Sequence, residues 1–264
     1  MSDAPAQPAA ILLAAGKGTR MGSDLPKVLH KAAGRPMLAW VVDACRAAGA
    51  GPIVIVVGYE AQLVIDAFAD DADDLVFVHQ HEQLGTGHAA MMAGPALESF
   101  AGDVFVLNGD GPLIRPDTLA TLLDTHRSSQ ADGTLATSYL DDPTGYGRVI
   151  RDDTGGLVGI VEQRDCTPEQ LAVREVNPNY LCYKAPVLFD ALSKLSSDNA
   201  QGEYYLTDVP KIVRDAGGSI AVVDAVPAED VLGVNTPEQL AQIDAILRRR
   251  LADPTTPAPQ GAAS

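Results

Sequence analysis

The chain has 264 residues, of which 46% are hydrophobic and 20% charged, a composition typical of a globular protein long enough to bury a substantial core. Its 19 Lys and Arg residues against 35 Asp and Glu residues give a formal net charge of −16, which argues against nucleic acid or an anionic membrane as a partner. The three cysteines are far apart and form no CxxC pair, so we expect reduced thiols and neither a disulfide framework nor a zinc site.

The N-terminal residues do not resemble a signal peptide. Residues 1–9 lack the basic start and the long apolar run of a signal peptide. No apolar run elsewhere approaches the roughly 18 residues of a membrane helix. We therefore predict a soluble, cytoplasmic protein that does not bind membranes.

A continuous apolar run over residues 9–15, closed by Gly16, is the first predicted element. It is too short for a helix and apolar on both faces, which is typical of a strand buried in a parallel sheet. Residues 53–58 and 104–107 have the same character, and segments with helical spacing lie among these runs at 37–50, 61–69 and 86–97. This alternation predicts an α/β fold with a Rossmann-like, open, mostly parallel sheet and helices on both faces. Ligands of such sheets bind beyond the carboxyl ends of strands, here after Ala15 and Leu107.

Shorter strands joined by turns follow from about Gly133, at 134–140, 147–151, 157–161 and 179–183. They predict a small mixed or antiparallel extension, about residues 133–225, that forms one wall of the cleft. Helices at 186–195 and 205–216 and a strand at 220–223 complete this region. A final helix begins at Thr236, with Gln239 at the capping-box position. We predict one domain over residues 1–251 and, because residues 252–264 are small and proline-rich, a disordered tail.

The segment LAAGKGTRM, residues 13–21, carries the clearest sign of function. Gly16 and Gly18 follow a strand directly, and glycines there let backbone N–H groups turn toward an anion. Five of the 19 cationic residues fall within 19 positions of this acidic chain: Lys17, Arg20, Lys27, Lys31 and Arg35. The third glycine of the dinucleotide fingerprint would fall on Met21, and no GxxxxGK[ST] loop is present here. A glycine turn or a charged face alone would be unremarkable, but together they predict a phosphate site.

The segment LAAGKGTRMGSDLPKVLH, residues 13–30, resembles the signature of sugar-nucleotide pyrophosphorylases. It is most similar to the uridylyltransferase half of bacterial bifunctional N-acetylglucosamine-1-phosphate uridylyltransferase/glucosamine-1-phosphate acetyltransferases. Further matching segments come in that family's order: EQLGTGHA (82–89), GDGPL (109–113), DDPTGYGR (141–148), IVEQRD (160–165), NAQGEYYLTD (199–208) and GVN (233–235). The resemblance implies a nucleotide-diphospho-sugar transferase fold and transfer of UMP from UTP to a sugar-1-phosphate, closest to N-acetyl-α-D-glucosamine 1-phosphate, with release of pyrophosphate.

The resemblance also implies the site residues. Arg20 and Lys27 are the expected catalytic cations, and Asp110 and Asn235 are the expected Mg²⁺ ligands, since magnesium prefers hard oxygen donors. The expected nucleotide-binding residues, among which Gln80 and Gly85 read the uracil edge, are Leu13, Ala14, Ala15, Gly16, Gln80, Gly85, Thr86 and Gly109. The expected sugar-binding residues are Gly147, Glu162, Asn177, Tyr205 and Thr207.

Several of these residues also have plain structural interpretations. Asp110 lies in an NGDGP turn that an aspartate can stabilise, and Glu162 alternates with apolar neighbours as an exposed strand residue does. Tyr205 and Thr207 suit the start of a helix. His79 and His81 flank Gln80 on one face of a predicted strand, where a solvated or packed pair is more common than a metal site.

Two departures from the family pattern leave the sugar open. Asn108 stands where the family usually has tyrosine, and Asn177-Pro178-Asn179 replaces its usual Asn-Thr-Gly. Proline removes a backbone donor there and fixes φ. A uridylyltransferase for another sugar phosphate, of the glucose or N-acetylmuramic acid type, therefore remains an alternative.

The implied reaction needs no general base, because the attacking sugar phosphate is already an anion; catalysis would rest on positioning and cations. More distant alternatives are a cofactor cytidylyl- or guanylyltransferase, a non-catalytic sugar-nucleotide binder, and a dinucleotide-binding oxidoreductase. No hexapeptide repeat of the acetyltransferase type follows Leu251. We therefore expect no acetyl transfer, and a monomer or weak homodimer.

Overall fold

A computed structural model describes residues 6–71 and 73–253. Its strands are β1 (Ala9–Ala14), β2 (Lys31–Ala32), β3 (Arg35–Pro36), β4 (Ile53–Val57), β5 (Leu75–His79), β6 (Asp103–Asn108), β7 (Gly133–Tyr139), β8 (Gly147–Arg151), β9 (Leu157–Val161), β10 (Glu175–Lys184) and β11 (Ile220–Asp224). Its helices are α1 (Met37–Ala47), α2 (Ala61–Asp66), α3 (Thr86–Met91), α4 (Pro116–Ser128), α5 (Pro168–Leu171), α6 (Ala185–Leu192), α7 (Val209–Asp215) and α8 (Pro237–Ala252). Short 3₁₀ turns join several of them.

The central sheet has the order β11-β7-β10-β6-β1-β4-β5. Strands β5, β4, β1 and β6 run parallel to one another, and β11 runs parallel to β7. Strand β10 runs antiparallel to β6 and β7, and the β8–β9 hairpin pairs with it at one end. The predicted fold class, a largely parallel α/β sheet with a small antiparallel extension, is confirmed.

Strand β1 is buried on both sides because its alternate side chains enter two different apolar layers. Ala10 and Leu12 pack in the layer that includes α1 and α4. Ala9 and Ile11 pack in the opposite layer, with α3, α6 and α7. The continuous apolar run is thus the consequence of helices covering both faces of the sheet.

Element boundaries differ from the predicted ones at several places. Helix α4 has no counterpart among the predicted elements, although Pro116 begins it and Leu119 and Leu122 form its buried face. Strand β10 begins at Glu175 rather than residue 179, because a bulge between Val176 and Tyr180 lets the strand continue through the proline.

The three cysteines are free, and burial raises the pKa of Cys45 to about 12.

Helix α8 is the last element of the described part of the chain. Its N-terminus carries the predicted capping box, in which the Thr236 side chain accepts from the Gln239 backbone N–H. The helix ends at Ala252, one residue inside the predicted tail, and residues 254–264 of that tail lie outside the described part of the chain. Within residues 6–71 and 73–253, no helix combines the length and apolar character needed to span a bilayer.

Candidate active site

A cleft with two lobes lies beyond the carboxyl ends of β1 and β6. We call one the β1 lobe; it has a volume of about 480 Å³ and is lined by residues 13–20 and the start of α3. The other, the β10 lobe, has a volume of about 380 Å³ and is lined by residues 144–147, the bulge of β10 and residues near 231–235. Of the residues that the structure describes, four line both lobes: Arg20, Asn108, Asp110 and Asn235. The cleft therefore lies where ligands bind to parallel sheets.

Gly18 occupies a position in the loop after β1 that favours glycine. Gly18 has φ +68°, a left-handed conformation that favours glycine, and a Cβ there would lie 2.7 Å from the Cβ of Lys27. The absence of a side chain at Gly18 therefore lets the Lys27 side chain lie against the loop. Behind it, the Gly109 backbone N–H donates to the Leu13 carbonyl over 2.9 Å, which joins the turn after β6 to β1.

Two cationic side chains meet two oxygen donors where the lobes join. Lys27 Nζ pairs with the carboxylate of Asp110 and donates to Asn235 Oδ1 over 2.9 Å. Arg20 Nη2 donates to the same Asn235 oxygen over 2.8 Å. The Asn235 backbone is held in turn, because its N–H donates to Gln239 Oε1 over 2.7 Å.

The oxygens of Asp110 and Asn235 suit a hard divalent cation. Both already face one positively charged group, the ammonium of Lys27. A carboxylate and an amide oxygen are the donors that magnesium takes when phosphate and water complete its coordination. Among the described residues, no cluster of three or more His, Cys, Asp and Glu side chains could hold a metal by itself.

The far end of the β1 lobe is built around Gln80, which directly follows β5 and is 4% exposed. Its Nε2 donates to the Gly85 carbonyl over 3.1 Å and lies 3.0 Å from His88 Nδ1. Gln83 Nε2 donates to the Ala15 carbonyl over 2.9 Å and so ties this end of the lobe to the loop after β1.

Gly85 holds the start of α3 against the segment that precedes α7. Its φ is +108°, and a Cβ there would lie 2.6 Å from the Tyr204 carbonyl oxygen. The Gly87 N–H donates to that same carbonyl over 2.8 Å, and Thr86 Oγ1 accepts from the Leu206 N–H over 3.1 Å. Only glycine suits this conformation and this close approach.

In the β10 lobe, Glu162 accepts a hydrogen bond from Thr207 Oγ1 over 3.0 Å. Burial raises the pKa of Glu162, the nearby Asp165 and Asp208 carboxylates add to the rise, and the Thr207 hydrogen bond opposes it. The surroundings of Glu162 therefore favour the neutral form of its carboxyl group more than solvent does.

In the same lobe, Asn177 and Asn179, one on each side of Pro178 in sequence, are joined by two hydrogen bonds. Asn177 Nδ2 donates to Asn179 Oδ1 over 2.7 Å, and the Asn179 N–H donates to Asn177 Oδ1 over 3.1 Å. Asn179 has φ +62°, in the left-handed region that asparagine tolerates better than most residues. The departure from Asn-Thr-Gly therefore adds an amide to the lobe while keeping a glycine-like backbone.

Most of the predicted site residues line the cleft. Those that do are Leu13, Ala14, Ala15, Gly16, Arg20, Lys27, Gln80, Gly85, Thr86, Asp110, Gly147, Glu162, Asn177 and Asn235. Gly109, Tyr205 and Thr207 do not line either lobe. Thr207 contacts Glu162 instead, and the Tyr205 hydroxyl lies between Gln201 Nε2 and Asp165 Oδ2, at 2.9 and 3.2 Å.

Other lining residues were not among the predicted site residues, and they include Asn108, Tyr146, Asn179, Gln83, Glu203 and Gln239. Asn108 and Asn179 stand out as departures from the family pattern, and Tyr146 lies inside the GYGR match, so those three carried a signal. The rings of His79 and His81 stack with centroids 5.6 Å apart on the exposed surface, and no metal cluster of the described residues includes them.

Comparison with known proteins places this architecture in a family. Residues 10–210 match the family described as MobA-like NTP transferase domain. The chain is 49% identical over 243 residues to the bifunctional protein GlmU of Pelobacter propionicus, covering 92% of this chain and 53% of that protein. It is 49% identical over 246 residues to GlmU of Pelotomaculum thermopropionicum, covering 93% and 53%. For GlmU of Geobacter metallireducens the identity is 47% over 243 residues, covering 92% and 51%. The chain thus spans about half the length of these relatives.

Proposed function

Because this chain belongs to the MobA-like NTP transferase family, we propose that it transfers UMP from UTP to a sugar-1-phosphate. The sugar we propose is N-acetyl-α-D-glucosamine 1-phosphate, and the products are UDP-N-acetylglucosamine and pyrophosphate. The relatives named above are bifunctional, and this chain covers about half of their length. The proposal therefore concerns one activity.

The junction of the two lobes is the observation that carries the proposal. Arg20, Asp110 and Asn235 line both lobes. A nucleoside triphosphate in the β1 lobe and a sugar phosphate in the β10 lobe would therefore bring their phosphates to the same point. The cations there are local exceptions in a chain of net charge −16, which is what two anionic substrates require.

The chemistry is an in-line displacement at the α-phosphorus of UTP. A bond forms from an oxygen of the sugar phosphate to the α-phosphorus. The bond from that phosphorus to the oxygen that bridges the α- and β-phosphates breaks, and pyrophosphate leaves with the electron pair. No proton has to be removed from the nucleophile. Lys27 and Arg20 would neutralise charge on the two phosphates and hold them in line.

Asp110 and Asn235 are the residues that would hold Mg²⁺ next to these phosphates. When bound, the ion supplies positive charge to the phosphate oxygens and the leaving group. Lys27 contacts both residues, so the side chains that would bind the ion and the side chain that would bind phosphate lie together.

UTP is the proposed nucleotide because the end of the β1 lobe offers an amide side chain and backbone groups. Uracil presents two carbonyl acceptors around one N–H donor, and groups of this kind can complement it. A base whose donors and acceptors are reversed would leave buried polar groups without partners.

The pair formed by Asn177 and Asn179 favours a second candidate for the sugar. It adds a polar group to the β10 lobe at the position of the departure from the family pattern. A uridylyltransferase for another sugar-1-phosphate, of the glucose or N-acetylmuramic acid type, is this second candidate.

One assay tests the proposal. Pyrophosphate release is measured with Mg²⁺ for UTP, CTP, GTP and ATP, each with a panel of sugar-1-phosphates. We expect the highest kcat/KM for UTP with N-acetylglucosamine 1-phosphate. Preference for another sugar with UTP would support the second candidate, and the absence of pyrophosphate release from every pair would refute both.

A further inference from the structure

The side-chain amide of Gln80 has a defined orientation. Its nitrogen end faces the Gly85 carbonyl oxygen at 3.1 Å and His88 Nδ1 at 3.0 Å. A carbonyl oxygen accepts hydrogen bonds and never donates them, so the group that faces Gly85 has to be the NH₂. The orientation of the amide therefore follows from its partner's chemistry.

The same logic defines the state of His88. Since the Gln80 nitrogen carries only hydrogens to give, Nδ1 of His88 has to accept. This is the tautomer that carries its proton on Nε2. Both N–H bonds of the Gln80 amide are thereby used, one by Gly85 and one by His88.

The carbonyl oxygen of Gln80 remains available to a ligand. In the part of the chain that the structure describes, Oε1 has no hydrogen-bond partner, and Gln80 lines the β1 lobe. This oxygen can accept a hydrogen bond and cannot donate one. It complements the N3–H of uracil and opposes the N3 lone pair of cytosine.

His88 itself is held in place. It lies in the first turn of α3, which the Tyr204 carbonyl holds through the Gly87 N–H over 2.8 Å. Its ring lies beside the ring of Tyr204, with centroids 6.3 Å apart and planes at 33°. The acceptor that Gln80 faces is therefore fixed by packing.

We propose that His88 is a positioning residue for base selection: it holds the Gln80 amide so that its carbonyl oxygen faces the base, which selects uracil over cytosine. This inference rests on the proposed function. Without the acceptor at Nδ1, only Gly85 opposes rotation of the amide, and a rotated amide presents its NH₂ to the base, which cytosine can accept.

A matched pair of variants tests the proposal. His88→Asn places an amide oxygen at the position of Nδ1 and keeps an acceptor, whereas His88→Leu places a methyl group there. The steady-state kcat/KM is measured for UTP, CTP and dUTP with one sugar-1-phosphate. We expect H88L to lower the UTP:CTP ratio about 3- to 10-fold, the worth of one hydrogen bond, and H88N to keep it within about 2-fold. The UTP:dUTP ratio should not change in either variant, because both nucleotides carry the same base.

Each other result overturns a defined part of the argument. An H88L enzyme with the parental UTP:CTP ratio, or one in which UTP and CTP decline equally, shows that His88 does not set base selection. An H88N enzyme that matches H88L shows that the acceptor is irrelevant. If H88L does not fold, His88→Met replaces it as a variant without a strong acceptor. A parent protein that releases no pyrophosphate from UTP overturns this inference together with the proposed function, whereas an active parent and an unaltered H88L overturn this inference alone.

Discussion

Lys27 Nζ donates a hydrogen bond of 2.9 Å to Oδ1 of Asn235, a residue 208 positions further along the chain. The same ammonium pairs with the carboxylate of Asp110, in the turn after β6. Three distant segments thus meet at one ammonium group: the loop after β1, the turn after β6 and the residues before α8. The charge arrangement of the cleft is therefore a product of the whole fold.

Replacement of Lys27 tests whether this ammonium acts on the reacting phosphates. Lys27→Ala removes the cation that contacts both oxygen donors at the lobe junction, Asp110 and Asn235. By analogy with the loss of one preorganised donor to a developing charge, we expect kcat to decline at least about 10²-fold. The measurement is the initial rate of pyrophosphate release at saturating UTP and sugar phosphate.

Lys31→Ala is the matched control for this variant, since Lys31 is an exposed cation of the same basic segment that does not line either lobe. We expect its kcat to stay within about 2-fold of the parental value. A K27A enzyme with a near-normal rate would remove Lys27 from the proposed mechanism.

The proposed magnesium ligand is tested by Asp110→Asn. This change keeps the shape and one oxygen of the side chain and removes its charge, which weakens binding of a hard cation. We expect the Mg²⁺ concentration that gives half-maximal pyrophosphate release to rise by more than about 10-fold. Asp24→Asn, the same change at an exposed position outside both lobes, should leave the Mg²⁺ titration unaltered. An unchanged titration for D110N contradicts the assignment.

The amide of Asn179 is expected to serve sugar recognition. Asn179→Gly is compatible with φ +62° and removes the acceptor of the hydrogen bond from Asn177 Nδ2. We expect KM for the sugar phosphate to change about 3- to 10-fold and KM for UTP to stay constant, because Asn179 lines the β10 lobe and not the β1 lobe.

Gln130→Gly is the control for this backbone change, since Gln130 also has a positive φ, of 54°, and lies outside both lobes. Both KM values should be parental in that variant. If N179G altered KM for UTP as much as KM for the sugar phosphate, its effect would be general and not one of sugar recognition.

We expect Glu162→Gln to raise the free energy of unfolding above that of the parent, by an amount that grows as the pH rises. Burial raises the pKa of Glu162 above its ordinary value of 4.5. The contribution of Glu162 to the free energy of unfolding is therefore complete below pH 4.5 and is lost as the pH rises through the raised pKa. Glutamine stays neutral throughout, so the difference between variant and parent should grow over this interval. Urea unfolding between about pH 5 and about pH 8 measures it.

The same substitution at Glu175 should lower the free energy of unfolding at neutral pH instead of raising it. Burial disfavours the charged form of Glu175, but hydrogen bonds from Arg151 and Thr137 outweigh burial and lower its pKa. Its stabilising contribution is therefore present above the ordinary value of 4.5 and is lost as the pH declines through the lowered pKa. Glu175→Gln removes the charge and one of the two carboxylate oxygens that accept from Arg151 over 2.7 Å, and should cost about 2 kcal/mol at neutral pH. Equal pH profiles for the two variants would contradict both assignments.

The sequence by itself determined the layers of this protein. The apolar runs of β1, β4 and β6 predicted a parallel sheet, because a short run that is apolar on both faces has to be covered on both faces. Gly16, Gly18 and the cations that follow them marked the loop that lines the β1 lobe. The apolar pattern of a strand and the glycines and cations of a loop are properties of one segment, so they can be recognised from the sequence of that segment alone.

Only the tertiary structure decided which side chains share the cleft. It placed Tyr205 and Thr207 outside both lobes, brought Asn108 and Tyr146 into them, and set His88 against Gln80. An apolar pattern reports whether a residue is buried, but a hydrogen bond to a distant residue depends on how separate segments pack. That packing is set by the sheet order and by the helices on its two faces, and no single stretch of sequence contains it.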